Sequence, residues 1–521
     1  MPLQEVDGSS PLPIPDRGTG LSSEEELLTD LSTDHLEENL RERSVRGGVI
    51  TLTSQGTLFV LQSVFTVTLA RILTPSDFGL VAMVTSITGL ATAFADMGLS
   101  EATIQRKEIT HDQVAALFWI NVAIGCGLTA VTAALAPVLA LFYREPKLVP
   151  ITLTLSLTFL IGGLRVQADA LLKRQMRFSS LAIRDITSWL IALPVCILMA
   201  LNDFGYWALV AFPLTVNFVQ MLLSWLMIRW RPTLPRRGTK VRSMITFGGN
   251  VAASYLIFNL NRSADAVLIG WYWGASPLGL YSRAYNLPML PVRQLNAPIS
   301  SVAIPTFSRI QNDPERFARS YLRLTQLMIW VAAPLFGYLF VCAEPIIVLL
   351  LGVKWREAAP VFQILAASAL GQLLLESIVW LLVSRGQSAR LFRVLITISP
   401  VIVVGFAIGL PFGIKGVALS ASLVLLGLLP LVLSFAFHGT DLTLRRLAQA
   451  LFLPLMMCLT AICTAELTLR LINPQIPIHK LLVAVAAFLF VYLISVSVPL
   501  VRRDLMSFVS LVRELRPWAK N

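Results

Sequence analysis

Apolar stretches of about 20 residues recur along almost the whole chain, each long enough to cross a hydrocarbon core roughly 30 Å thick. Backbone in lipid has no water to bond, so these stretches must become helices that satisfy their own N–H and C=O groups. The pattern predicts an all-α polytopic membrane protein with spans over 47–71, 78–104, 112–142, 148–171, 178–200, 205–228, 243–272, 278–308, 318–343, 357–383, 388–410, 415–437, 446–469 and 480–500. That is about fourteen helices. Of 521 residues, 55% are hydrophobic and only 14% charged, and a soluble core of this length would not require such runs.

The formal charge of +12 does not mark a nucleic-acid surface, because the basic residues occupy short loops between spans rather than one face. One set of alternate loops carries Arg106, Lys107, Lys173, Arg174, Arg177, the run Arg229 to Arg242, Arg309, Arg316, Arg319, Arg385, Arg390, Arg393, Arg445 and Arg446. The other set holds little beyond Arg144, Lys147, Lys354, Lys415 and Lys480. The bias places the first set in the cytoplasm. Arg41, Arg43 and Arg46 before the first span and Arg502 and Arg503 after the last put both termini there. The five cysteines lie in or beside apolar segments with no CxxC pair, and the four histidines lack a ligand spacing. Neither a disulfide framework nor a metal centre is expected.

Residues 1–45 form an acidic cytoplasmic tail, expected to be disordered and dispensable for transport. Residues 46–228 make an N-terminal transmembrane lobe, 229–242 a basic cytoplasmic linker, 243–437 a C-terminal lobe, 438–500 two additional helices and 501–521 a basic tail. A weak internal repeat at a shift of about two hundred positions supports two lobes. Phe78-Gly79-Leu80 matches Leu278-Gly279-Leu280, and Leu99-Ser100 aligns with Ile299-Ser300. Parallel repeats of this kind hold a substrate between the lobes near the midplane and alternate its access by rocking.

The polar residues inside spans identify where that substrate would sit. On a helix, Asn250, Ser254, Asn261 and Asp265 share a sector of roughly 60°. The next span mixes Asn286, Arg293, Gln294 and Asn296 with Pro288, Pro291 and Pro298, which predicts a broken helix lining protein or water. Arg262 and Arg293 lie nearer mid-span than other cations, where snorkelling is difficult, and a guanidinium suits a phosphate or carboxylate. The substrate-cavity candidates are therefore Arg262, Arg293, Asn250, Asn261, Asp265 and Asn296. Further candidates are Asp96, Arg165, Asp169, Arg184, Arg283 and Glu376. The competing reading is structural. Arg262 would pair with Asp265, and Asp96, Glu101, Arg165, Asp169, Arg184 and Asp185 would form an interlocked set near the cytoplasmic helix ends. Arg71 reads as an interfacial anchor at the outer end of the first span. With no P-loop, Walker lysine or nucleophile elbow, and no large polar loop, the pattern disfavours an ATP-driven pump, a glycan polymerase or a ligase.

Three stretches carry a family resemblance: ARILTPSDFGLVAMVTSITGLATAFADMGLSEATIQRKEIT, GLYSRAYNLPMLPVRQLNAPISSVAIPTFSRIQNDPERF and GVKWREAAPVFQIL. They resemble the Wzx-type oligosaccharide flippases of the multidrug/oligosaccharidyl-lipid/polysaccharide superfamily, nearest to colanic acid and rhizobial exopolysaccharide exporters. The likeness runs from about Arg43 to about Arg502. It implies a V-shaped transporter of two six-helix lobes plus two C-terminal helices. The implied cargo is an undecaprenyl-diphosphate-linked oligosaccharide, moved across the bacterial inner membrane to the periplasmic leaflet. It implies no cofactor, H+ or Na+ coupling as an open possibility, contact with membrane lipids, and polysaccharide polymerase and export machinery as partners. The alternatives are a cation-coupled drug or metabolite antiporter on the same scaffold, which the basic second-lobe interior disfavours, a membrane glycan polymerase or ligase, and a non-transporting assembly partner.

Overall fold

The computed structural model describes residues 40–95, 98–106, 109–234, 263–499, 501, 502 and 504. Among these the regular structure is entirely helical. Helices α1 (Leu40–Ile72), α2 (Pro75–Ala95), α3 (Leu99–Gln105), α4 (His111–Tyr143), α5 (Leu148–Arg174), α6 (Phe178–Leu201) and α7 (Trp207–Met227) form a first group. The second group is α8 (263–273), α9 (Ala275–Arg309), α10 (Pro314–Val341), the short α11 (Ala343–Leu351), α12 (Ala359–Ser384), α13 (Ser388–Gly409) and α14 (Gly413–Phe437). A 3-10 turn, Val353–Ala358, joins α11 to α12. Helices α15 (Leu444–Ile472) and α16 (Pro477–Ser495) pack on each other and on α10, where the Cys458 thiol donates to the Ala333 carbonyl at 3.0 Å. Among the described residues, ten helical segments are long and apolar enough to cross a membrane, one of them carrying both α13 and α14.

Local chemistry sets the helix ends. Thr110 and Gln113 cap α4 reciprocally, each side chain accepting the other's backbone N–H. Asp313 accepts from Arg316 N at the start of α10, with Pro314 in the first turn, where no N–H is needed. Thr443 does the same for α15. The helices lie close to the expected spans, such as Leu148–Arg174 against 148–171 and Phe178–Leu201 against 178–200.

Two expectations are corrected. The span 78–104 is not one helix: α2 ends at Ala95, and Gly98, at φ 64°, starts the separate α3. A residue with a Cβ is strained in that left-handed conformation, so the chain turns there. Nor is the proline-rich span broken. Helix α9 continues for 35 residues through Pro288, Pro291, Pro298 and Pro305, because each proline removes a single N–H while the bonds on either side persist.

Among the described residues, the lobes meet at the end of this bundle that is poor in basic residues. Gly79 on α2 and Gly279 on α9 cross so closely that neither has space for a side chain. The Trp355 indole, fully buried, donates to the Ala70 carbonyl at 2.8 Å. Arg71 donates to the Leu349 and Leu350 carbonyls, and Lys354 to the Ile72 carbonyl at 3.0 Å. At the opposite, basic end, arginines tie helices within their own lobe: Arg177 to Met227 in the first, Arg385 to Gly439 and Arg390 to Phe435 and His438 in the second. The result is a V with its apex at the basic-poor end.

Candidate functional site

The apex is built by α2 and α9. One turn inside the glycine crossing, Arg283 extends from α9 across the seam and stacks its guanidinium on the Phe78 ring, 4.6 Å from the centroid. Phe78 is itself held edge-on to Trp355 at 5.3 Å. The Arg283 Nε is buried without a hydrogen-bond partner, and among the described residues no carboxylate pairs with the side chain. A guanidinium in such a position keeps its charge and retains donors for an anion. At about 100° per residue, Asn286, Arg293 and Gln294 fall within roughly 100° of Arg283 on the same helix, and all three are exposed. Thr85 and Thr92 are exposed on α2. The two helices that close the apex therefore carry polar faces below it.

Other candidates are committed to internal bonds. Asp265 is buried and accepts the Tyr281 hydroxyl at 2.8 Å, and Tyr281 stacks on Tyr285. Asn296 donates to Glu376 at 3.3 Å and accepts from Ser300, which in turn accepts the Trp380 indole at 2.6 Å. This chain welds α9 to α12.

In the first lobe, Arg165 pairs with Asp169 at 3.1 Å, as its i,i+4 spacing predicts. Arg184 pairs with Asp169 and, at 2.7 Å, with Asp185. Ser224 donates to Asp169 at 2.7 Å and Gln220 to Asp185 at 3.0 Å, and Gln220 also accepts from Arg165. Two cations and two anions on α5 and α6 thus neutralise each other, with α7 completing the hydrogen bonds. Four residues of the expected interlocked set, Arg165, Asp169, Arg184 and Asp185, meet in this way, whereas Glu101 is exposed on α3.

The structure brings together Asp265 with Tyr281, Asn296 with Glu376, and Arg165 with Asp169 and Arg184. Arg293 is exposed on α9. Asn250, Asn261, Arg262 and Asp96 lie outside the described residues, and with them the expected Arg262 pair. Arg71 is corrected from an interfacial anchor to a seam residue, because its side chain caps α11 of the other lobe. Sequence reasoning missed Phe78 as a partner of Arg283; its place in the repeated Phe78-Gly79-Leu80 triplet was the available signal.

The lipopolysaccharide biosynthesis protein WzxC of Escherichia coli (strain K12) is 27% identical over 338 residues, 64% of this chain and 68% of that protein. The teichuronic acid biosynthesis protein TuaB of Bacillus subtilis (strain 168) is 28% identical over 57% of this chain and 62% of its own length. The succinoglycan biosynthesis transport protein ExoT of Rhizobium meliloti (strain 1021) is 28% identical over 61% of this chain and 64% of its own. The chain thus spans about two thirds of the length of these relatives. A solved structure of the lipid II flippase MurJ, in an inward closed conformation, superposes with a TM-score of 0.68 at 12% identity, covering 89% of this chain and 100% of that one. At that identity the likeness is one of fold alone. Residues 68–360, more than half of the chain, match the family described as polysaccharide biosynthesis protein, and the chain belongs to that family.

Proposed function

We propose that this protein is a flippase that carries a lipid-linked oligosaccharide, joined to its polyprenyl lipid through a diphosphate, from the cytoplasmic to the opposite leaflet by alternating access. The names of its relatives, which concern lipopolysaccharide, teichuronic acid and succinoglycan, support a polysaccharide precursor as cargo. The basic end of the bundle is cytoplasmic in this reading, as are both termini, and the membrane is the bacterial inner membrane. The V is then open toward the leaflet where the cargo is made. A polymerase and export machinery would receive the product, and any H+ or Na+ coupling would act on the same rocking motion.

The observation that carries the reading is Arg283. A diphosphate entering a low-dielectric passage loses its hydration, and a fixed guanidinium offsets much of that cost. Arg283 has a buried Nε with no partner, a ring beneath it and no paired carboxylate among the described residues. Arg293 and Asn286 extend the polar face along the route from the open end. A drug antiporter would need anionic or aromatic holders for a cation instead.

The test is transport in proteoliposomes of a fluorescent polyprenyl-diphosphate oligosaccharide, read as protection from an external quencher. Wild-type protein should move it, and Arg283→Ala should lower the rate by about tenfold or more, the loss expected for one charge-assisted contact of about 1.5–3 kcal/mol. Unchanged transport by Arg283→Ala would remove the assigned role. Failure of wild-type protein to move the lipid, with uptake of an organic cation, would overturn the flippase.

A further inference from the structure

On the face opposite the V's mouth, a cleft of about 500 Å³ opens across the seam, lined by Arg71, Val348, Leu351, Gly352, Val353 and Lys354. Its lining holds two cations from different lobes and no acid. Both cations are exposed and contribute to the seam: Arg71 bonds the last carbonyls of α11, and Lys354 bonds the last carbonyl of α1. These are neutral acceptors, so the two charges remain uncompensated by them. Of the acids on neighbouring segments, Asp77 acts electrostatically on Lys354 from outside the cleft lining, and Glu357 is exposed three residues beyond Lys354. Asp77 accepts from Thr74 N and Oγ1 at 2.9 and 2.6 Å, and Glu344 pairs with Arg356 at 2.8 Å. The guanidinium has five N–H donors and uses two groups, and the ammonium has three and uses one. Spare donors of both lobes therefore face one concavity whose remaining wall is apolar.

We propose that this cleft is a second phosphate site, separate from Arg283, that takes the phosphate of a lipid headgroup and bridges Arg71 to Lys354. Two cations with free donors match a tetrahedral anion, and Val348, Leu351 and Val353 suit the lipid part beside it. A phosphate held by both lobes would stabilise the closed apex. It therefore favours the state in which the V is open at its other end. The headgroup belongs either to an anionic glycerophospholipid or to the diphosphate of the carried lipid after it has crossed. The placement at the extracytoplasmic surface rests on the orientation proposed above, whereas the binding itself does not depend on transport.

The experiment uses the full chain with the two exposed cysteines, Cys126 and Cys463, replaced by alanine and an environment-sensitive dye on Val353→Cys. In nanodiscs of phosphatidylcholine, pyrophosphate should change the emission saturably. Arg71→Gln with Lys354→Gln should raise the half-saturating concentration at least about tenfold, while the charge-retaining pair Arg71→Lys with Lys354→Arg should still respond. In phosphatidylglycerol nanodiscs, loss of the pyrophosphate response assigns the site to the phospholipid headgroup, and its persistence assigns it to the carried diphosphate. No response in the parent protein, or an equal response in the double glutamine variant, overturns the proposal. A protein that binds pyrophosphate here yet moves no lipid-linked oligosaccharide would refute the flippase and leave this site standing.

Discussion

Gly79 and Gly279 are seated reciprocally: a Cβ on Gly79 would lie 1.7 Å from the Ala275 carbonyl oxygen, and one on Gly279 would lie 1.8 Å from the Pro75 carbonyl oxygen. Each glycine thus faces the residue four positions before its counterpart. The 200-residue shift of the sequence repeat becomes a local pseudo-two-fold at the apex of the V. Since both obstacles are backbone, no side-chain rotation relieves them.

Gly79→Ala and Gly279→Ala should therefore drive the helices apart by roughly 1–2 Å at the crossing, an overpacking that costs about 1–3 kcal/mol or more. Spin labels flanking the seam should report a longer distance than in the parent. Gly427→Ala, where a Cβ meets nothing within 4 Å, should leave the distance unchanged. An unaltered apex in both seam variants would mean that the crossing does not hold the closed state.

The neutral cluster of the first lobe should behave as one unit. Arg184 and Asp169 side chains are 9% and 16% exposed, so Arg184→Ala leaves Asp169 and Asp185 sharing Arg165 as their one cation, an excess of largely buried negative charge that should cost about 3–5 kcal/mol. The quantity of folded protein in membranes, measured by size-exclusion fluorescence, should fall sharply. Replacing Arg184 and Asp169 together by apolar residues should restore much of it. Equal losses in the single and double variants would argue against mutual compensation.

Arg283 should differ from that cluster, since no acid among the described residues pairs with it. Arg283→Ala is expected to retain normal membrane levels and thermal stability while transport falls. Arg283→Lys should keep partial transport, because the charge remains and the planar fork is lost. Phe78→Leu should weaken transport less than Arg283→Ala, as it removes only the ring beneath the cation. Loss of folded protein on Arg283→Ala would reassign the residue to packing.

Orientation can be tested without any substrate. A reporter active only outside the cytoplasm should be silent when fused after Arg390, in the first turn of α13 at the basic end, and active when fused after Asn473, which ends α15 at φ 45°. The opposite pair of results would invert the topology and put the apex in the cytoplasm.

How much was legible beforehand follows from how local each feature is. Spans such as 388–410 and 415–437, realised as Ser388–Gly409 and Gly413–Phe437, were readable because lipid forces every backbone group to bond within its own segment. Arg165 with Asp169 was readable for the same reason, since one helical turn fixes their spacing. The repeated Phe78-Gly79-Leu80 and Leu278-Gly279-Leu280 could be aligned, but their meaning as one crossing could not be deduced from the alignment.

The sequence by itself determined an all-helical membrane chain, its sidedness pattern and its family likeness. Tertiary structure decided what those elements do to each other. It set which end of the V is closed and welded Asn296 to Glu376. It also turned Arg71 from a span-end cation into a cap on a helix nearly three hundred residues away, and left Arg283 over Phe78 without an acid among the described residues. The physical reason is that helix formation in a bilayer is settled within a few residues, whereas charge compensation depends on which helix faces arrive at the same place. A single arginine cannot reveal its partner until distant segments have packed.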